Sequence, residues 1–196
     1  WLFWSTCGLG QIDGLLTGLE LSAVYLLLHH EHYEGERMPW LAFILMGLAV
    51  LAKGPVGLLI PLGVYLAIRF SSQSEPHIGP AHIIIGLIVA IAIPVTWLLA
   101  CWLNGAPPEY LHELLFTQNV SRAAGELGHR RPFFYFLIQT PVDFMPWTLF
   151  LPAAFIRLRK SDASLLKKLA FWVLFVIAFF SLSSSKRNLY VLLAFP

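Results

Sequence analysis

The sequence predicts an all-α, multi-pass transmembrane helical bundle, and three observations carry that prediction. Hydrophobic residues make up 58% of the chain and charged residues 12%, with a mean hydropathy of +0.71, whereas soluble domains carry about 25% charged residues. Residues 83–102 and, in shorter form, 169–182 are apolar runs, and a helix needs roughly 20 such residues to cross a bilayer. Leu, Ala and Pro abound without the period-two alternation of a membrane barrel, which leaves helices as the way to satisfy the backbone in lipid.

The elements follow in order. Residues 1–7 read as the tail of a span, and Gly8-Leu9-Gly10 as a turn before Asp13 opens a helix predicted from Ile12 to Leu28. The polar run His29 to Arg37 reads as a solvated loop. Residues 38–52 and 56–70 are two apolar stretches joined by Lys53-Gly54-Pro55, and the Gly-Pro pair favours two short helices meeting at a membrane face over one rod. A polar loop at 71–82 precedes the span at 83–102. Residues 103–131 are too polar for lipid and too aromatic for a free linker, so they form an outer loop. Residues 132–155 return across the membrane with interruptions at Pro141, Pro146 and Pro152, and a basic loop at 157–168 leads to the span at 169–182. The whole reads as one partial transmembrane core over 1–196, internal to a longer chain.

Charge placement gives the orientation. With the cluster Arg157, Arg159, Lys160, Lys167 and Lys168 in the cytoplasm, alternation puts seven Lys/Arg inside and six outside, a thin margin for the positive-inside rule. The outer face therefore carries more cations than topology needs, and such cations point to an anionic ligand at headgroup depth. They are Lys53, Arg122, Arg130, Arg131, Lys186 and Arg187. Arg grips a phosphate through a planar fork and Lys as a point charge, and both act more strongly where the dielectric is low. Beside a leaving phosphate they would stabilise charge that grows in the transition state.

Each candidate has a plainer alternative. Lys53 would otherwise snorkel from a helix end, Arg122 and His129-Arg130-Arg131 would anchor an interface, and Lys186-Arg187 would merely end a helix. Asp13 is either an N-cap or the acidic partner of a sugar or cation. Glu20 lies two turns along the same face, so the pair would line one groove. Asp143 is an intramembrane charge without an evident partner. His29, His30 and His32 read as solvated loop residues rather than a metal tract. Walker, dinucleotide and HExxH patterns do not occur in this sequence, and its charge balance does not point to nucleic acid.

The motifs, taken together in order, resemble membrane glycosyltransferases of the GT-C type, the dolichyl-phosphate-mannose-protein mannosyltransferases and the lipid A aminoarabinose transferases. They are Asp13-Gly14-Leu15-Leu16, Leu51-Ala52-Lys53-Gly54-Pro55, Asn119-Val120-Ser121-Arg122, His129-Arg130-Arg131-Pro132-Phe133-Phe134-Tyr135, Pro146-Trp147 and Ser185-Lys186-Arg187-Asn188-Leu189-Tyr190. The chain departs at Gln118-Asn119, where relatives often carry an acidic residue and His, and at Arg187-Asn188, where they are more apolar. The resemblance implies transfer of a sugar from a polyprenyl-phosphate carrier to a lipid, glycan or protein acceptor, in the plasma (inner) membrane with an extracytoplasmic site. It implies phosphate contacts from Lys53, Arg122, Arg130 and Lys186, a sugar-facing Asp13, and Glu126, His129 and Tyr190 lining the site. A divalent metal near His129 and Glu126 is a possible cofactor, and the general base is expected upstream of Trp1. The rival expectations are a transporter or lipid flippase with Asp13, Glu20 and Asp143 along a midplane path, and a non-catalytic assembly subunit with expendable outer cations.

Overall fold

A computed structural model describes residues 12–33, 37–71, 78–114, 131–160 and 164–182, together with positions 186, 192 and 194. Its elements are α1 (Ile12–Tyr33), α2 (Trp40–Lys53), α3 (Val56–Ser71), α4 (Pro80–Leu103), α5 (Pro108–His112), α6 (Tyr135–Asp143), a 3-10 turn (Trp147–Phe150), α7 (Leu151–Lys160) and α8 (Ser164–Leu182). Among the described residues there is no strand.

Among the described residues, two helices have both the length and the apolarity of a span. α1 has 22 residues and α4 has 24, about 33 and 36 Å at 1.5 Å per residue, against roughly 30 Å of hydrocarbon. α4 shows what its surroundings must be. It buries Gly86 and Ala90 against the bundle and leaves Ile84, Ile85, Ile88, Ile91 and Val95 exposed, an aliphatic surface that lipid would cover.

α2 and α3 are the two short helices predicted on either side of Lys53-Gly54-Pro55, and they pack as a hairpin. Gly54 takes φ +80°, ψ −157°, a conformation that is essentially confined to glycine, and its N–H caps α2 by bonding the Val50 carbonyl at 2.7 Å. Past the turn, Gly57 packs onto the backbone of Ala49, so tightly that a β-carbon would overlap it. The hairpin is then wedged among its neighbours. One apolar cluster joins Ala23 and Leu27 of α1, Phe43 and Met46 of α2, Tyr65 of α3 and Ala90 of α4. A second joins Val24 of α1, Ile60 and Val64 of α3, Phe136 of α6 and Trp172 and Val176 of α8. α1 and α3 contribute to both clusters and form the spine of the bundle.

Several predicted boundaries are corrected. α1 runs to Tyr33 rather than Leu28, so His29, His30 and His32 form its last turns, with His30 buried at 3% exposure. The reason lies in Glu31, whose Oε2 accepts hydrogen bonds from the Tyr65 hydroxyl at 2.6 Å and the Ile78 N–H at 3.4 Å. Arg69 completes this polar knot by donating to the Ile78 carbonyl at 2.9 Å. The knot holds the ends of α1 and α3 against the start of α4 and keeps the histidine run helical. Of the interruptions predicted over 132–155, Pro146 breaks the chain, with a cis Met145–Pro146 bond and a 3-10 turn between α6 and α7, while Pro141 and Pro152 lie inside α6 and α7. Asp143 does have a partner, the Gln139 amide at 3.0 Å, one turn back on α6. The basic loop of 157–168 is mostly helical, with Arg157, Arg159 and Lys160 on α7 and Lys167 and Lys168 on α8.

Candidate functional site

Four helices converge on the Lys53-Gly54-Pro55 turn. Because α1 starts where α2 ends, Asp13 in the first turn of α1 meets Lys53 in the last turn of α2, and the Lys53 Nζ donates to the Asp13 Oδ1 in an ion pair. Both side chains are mostly buried, at 20% and 13% exposure. Of the alternatives for Asp13, the structure gives the cationic partner, and the cation is Lys53. A charge pair with so little water around it is bound tightly but also costly to break, since removing one member leaves the other buried and uncompensated.

Glu20 stands two turns further along α1 with 3% exposure, and among the described residues its Oε1 has no hydrogen-bond partner. The charges of Lys53 and Asp13 both act on it. The face of α1 that carries Asp13 and Glu20 thus points inward, as the seven-residue spacing predicts, and Lys53 is the cation it meets.

Beside the pair opens a cleft of about 870 Å³. Residues 50–55 form one wall, the Pro94, Val95, Trp97 and Leu98 side of α4 a second, and Tyr110, Glu113 and Leu114 a third, with Ile12 at the start of α1. The lining is largely apolar, with Lys53, Tyr110 and Glu113 as its polar side chains. α4 continues from Leu98 to Leu103 beyond the cleft, a further turn or so of helix, and Gly105 at φ +82° then turns the chain into α5. Lys53 is therefore recessed below the end of α4, with the start of the 103–131 segment beside it.

Sequence reasoning missed two parts of this site. Glu113 and Tyr110 were legible only as polar members of a loop, although their spacing of three puts both on one face of a short helix. Trp97 and Pro94 were hidden within an apolar run. Pro94 has no N–H to offer the Ala90 carbonyl, and Gly47 of α2 packs against that carbonyl, which draws α2 and its Lys53 end towards α4.

Of the remaining predicted site residues, Lys186 is buried at 4% exposure, while Arg122, Glu126, His129, Arg130 and Tyr190 lie outside the described residues. Arg131 is exposed, with its guanidinium 5.2 Å from the centre of the Tyr135 ring, a stacking contact typical of Arg. Among the described residues no group of three His, Cys, Asp or Glu side chains converges as a metal site would require.

The arrangement was compared with known proteins. No known protein-family profile matches the chain. A crystal structure of ArnT from Cupriavidus metallidurans bound to undecaprenyl phosphate superposes with a TM-score of 0.72 and 21% identity, over 94% of this chain and 34% of that one. The fold is that of ArnT. The same protein in its apo state gives the same TM-score at 22% identity, so the ArnT match does not depend on the bound lipid. Among curated relatives, an undecaprenyl phosphate-alpha-4-amino-4-deoxy-L-arabinose arabinosyl transferase of Pseudomonas fluorescens is 25% identical over 91% of this chain. One of the same name from Aeromonas hydrophila is 29% identical over 76% of it. The resemblance read from the sequence motifs thus finds its counterpart in ArnT and in transferases of that description. The chain spans about a third of the length of these relatives, 32% and 27% for the two named.

Proposed function

We propose that this chain is the donor-binding part of a bacterial inner-membrane glycosyltransferase that moves a sugar from a polyprenyl phosphate to a lipid-type acceptor on the extracytoplasmic face. The observation that carries the reading is the Asp13–Lys53 pair at the wall of a mostly apolar cleft, in a chain with the fold of a protein solved with undecaprenyl phosphate. A lysine beside apolar walls suits an amphipathic ligand, with the phosphate on the ammonium and the first isoprenyl units against Val50, Leu51, Val95 and Leu98.

In the reaction, an acceptor hydroxyl oxygen attacks the anomeric carbon from the face opposite the phosphate. The bond from that carbon to the phosphate oxygen breaks, the electron pair leaves on the phosphate, and the hydroxyl proton passes to a general base. Lys53 stabilises the growing phosphate charge, and the motif resemblance assigns Arg122, Arg130 and Lys186 the same role. Asp13 holds Lys53 at the cleft before the donor arrives, beside the sugar contact implied by the motif resemblance. Glu126, His129 and Tyr190, which lie outside the described residues, keep the site-lining roles implied by the motif resemblance, and the first two would hold a divalent metal.

The transporter reading loses ground on the placement of charge. Asp13 is committed to Lys53 at a helix end, Asp143 is bonded to Gln139 within α6, and the named relatives are transferases. The decisive test uses the complete protein in membranes. Lys53→Ala and Arg122→Ala each lower sugar transfer from a polyprenyl-phosphate donor by at least 100-fold while membrane insertion is retained. Wild-type turnover in both variants refutes the assignment, and movement of the intact lipid-linked sugar across the bilayer without transfer favours the rival.

A further inference from the structure

Glu20 is a buried carboxyl that the proposed mechanism does not use. It lies on α1 at 3% exposure, and among the described residues its Oε1 has no hydrogen-bond partner. The positions one and two turns from it on the same face are Leu16, Ala23, Val24 and Leu27, all buried. The buried hydroxyl nearest along the helix, that of Thr17, is committed to the Asp13 carbonyl at 2.8 Å. A buried polar atom without a partner lowers stability, and an ionisable group within a membrane span is expensive for the same reason, so packing does not account for a glutamate here. The charges that act on it are those of Lys53 and Asp13, and a local rule broken beside a ligand-binding group is a mark of function. The Lys53 ammonium has three N–H donors. One goes to Asp13, and the donor phosphate takes another under the function proposed above.

We propose that Glu20 is a positioning residue for Lys53, the acceptor that takes the remaining ammonium N–H when the donor phosphate is bound and so holds the cation against the cleft. The proposal rests on the function above and adds to it a group that does not line the cleft. A carboxyl oxygen accepts from an ammonium with or without a proton on its other oxygen. Glu20→Gln therefore keeps the acceptor, and Glu20→Leu removes it.

The experiment uses the complete protein in detergent with undecaprenyl phosphate as the probe, and measures Kd and Tm for wild type, Glu20→Leu, Glu20→Gln, Lys53→Met and the double variant of Glu20→Leu with Lys53→Met. Glu20→Leu weakens binding about tenfold, the effect of one hydrogen bond to a charged group, while Glu20→Gln stays within about threefold of wild type. The Tm of Glu20→Leu equals or exceeds that of wild type, because an unpartnered buried carboxyl has been replaced by an apolar group. On the Lys53→Met background Glu20→Leu adds no further loss, since no ammonium is left to position. A purely structural glutamate gives the opposite pattern, a lower Tm and a loss that persists without Lys53. That pattern, or unchanged affinity in Glu20→Leu, overturns the assignment. Should Glu20→Leu not fold, Glu20→Met carries the same expectations, and failure of both to fold also overturns it. Failure of the proposed function itself looks different, because Lys53→Met then binds the probe as tightly as wild type, which ends both readings.

Discussion

Lys53 and Asp13 are forty positions apart, yet their energetics are those of one group. Each is mostly buried, so truncating either strands a charge, whereas removing both strands none. Lys53→Met and Asp13→Asn are each expected to destabilise the protein by about 3 kcal/mol, the double variant by clearly less than the sum, with a coupling of about 2 kcal/mol. Thermal unfolding of the four proteins in detergent measures it, and additive losses would show that the pair does not act as a unit. The separate members were legible in the sequence, because Lys53 stands beside Gly54-Pro55 and Asp13 opens an apolar helix. Their pairing was not, since it depends on how α1 and α2 are stacked. Glu113 was less legible still. An isolated glutamate in a polar segment gives no local sign that a cleft lies beside it, and α5 is only five residues long, too short for a periodic pattern.

At the scale of elements, the hairpin of α2 and α3 sets the position of Lys53, and Gly57 sets the closeness of the hairpin. A β-carbon at Gly57 meets backbone atoms of Ala49, which have no rotamer into which to retreat, while at Gly18 of α1 nothing lies within 4 Å. Gly57→Ala should therefore cost about 1–3 kcal/mol through overpacking, and Gly18→Ala should be neutral or stabilising by up to about 1 kcal/mol, as expected for a helix interior. The two melting temperatures in detergent, with donor turnover alongside, separate a packing effect from a general intolerance of alanine, and equal shifts would refute the close contact. The hairpin itself was readable from Gly-Pro between two apolar runs. The helical histidine run was not, because His29 to Tyr33 is polar by composition and helical by virtue of Glu31, Tyr65 and Ile78, contacts made across 34 and 47 residues. The proline-broken return through α6 and α7 was half legible. The break at Pro146 was visible, but Pro141 and Pro152, also expected to interrupt, lie inside α6 and α7, and residue patterning gives no rule for which proline a helix absorbs.

At the scale of the whole molecule, the two ends of the bundle differ in kind. One end gathers Glu31, Tyr65, Arg69 and Ile78 at the start of α4 into a knot of internal hydrogen bonds. The other gathers the Asp13–Lys53 pair, an open cleft and the outer aromatic residues Trp97, Trp102 and Tyr110, the residue types enriched where membrane meets water. The closed end is built for rigidity and the open end for access, and under the proposed function a ligand at the open end accounts for the near balance of cations along the sequence. Under the proposed function this division sets an orientation that is testable without any assay of turnover. Asn104 and Arg37 are both exposed, at opposite ends of the helical stack. With Cys7 and Cys101 replaced by serine in the complete protein, Asn104→Cys should react with a membrane-impermeant maleimide in spheroplasts, and Arg37→Cys only after the membrane is permeabilised. The reverse pattern would turn the cleft towards the cytoplasm. Lys53 would then meet carriers before they cross the bilayer, the cationic excess would lose its explanation, and a donor-flipping role would fit the same residues better than sugar transfer outside.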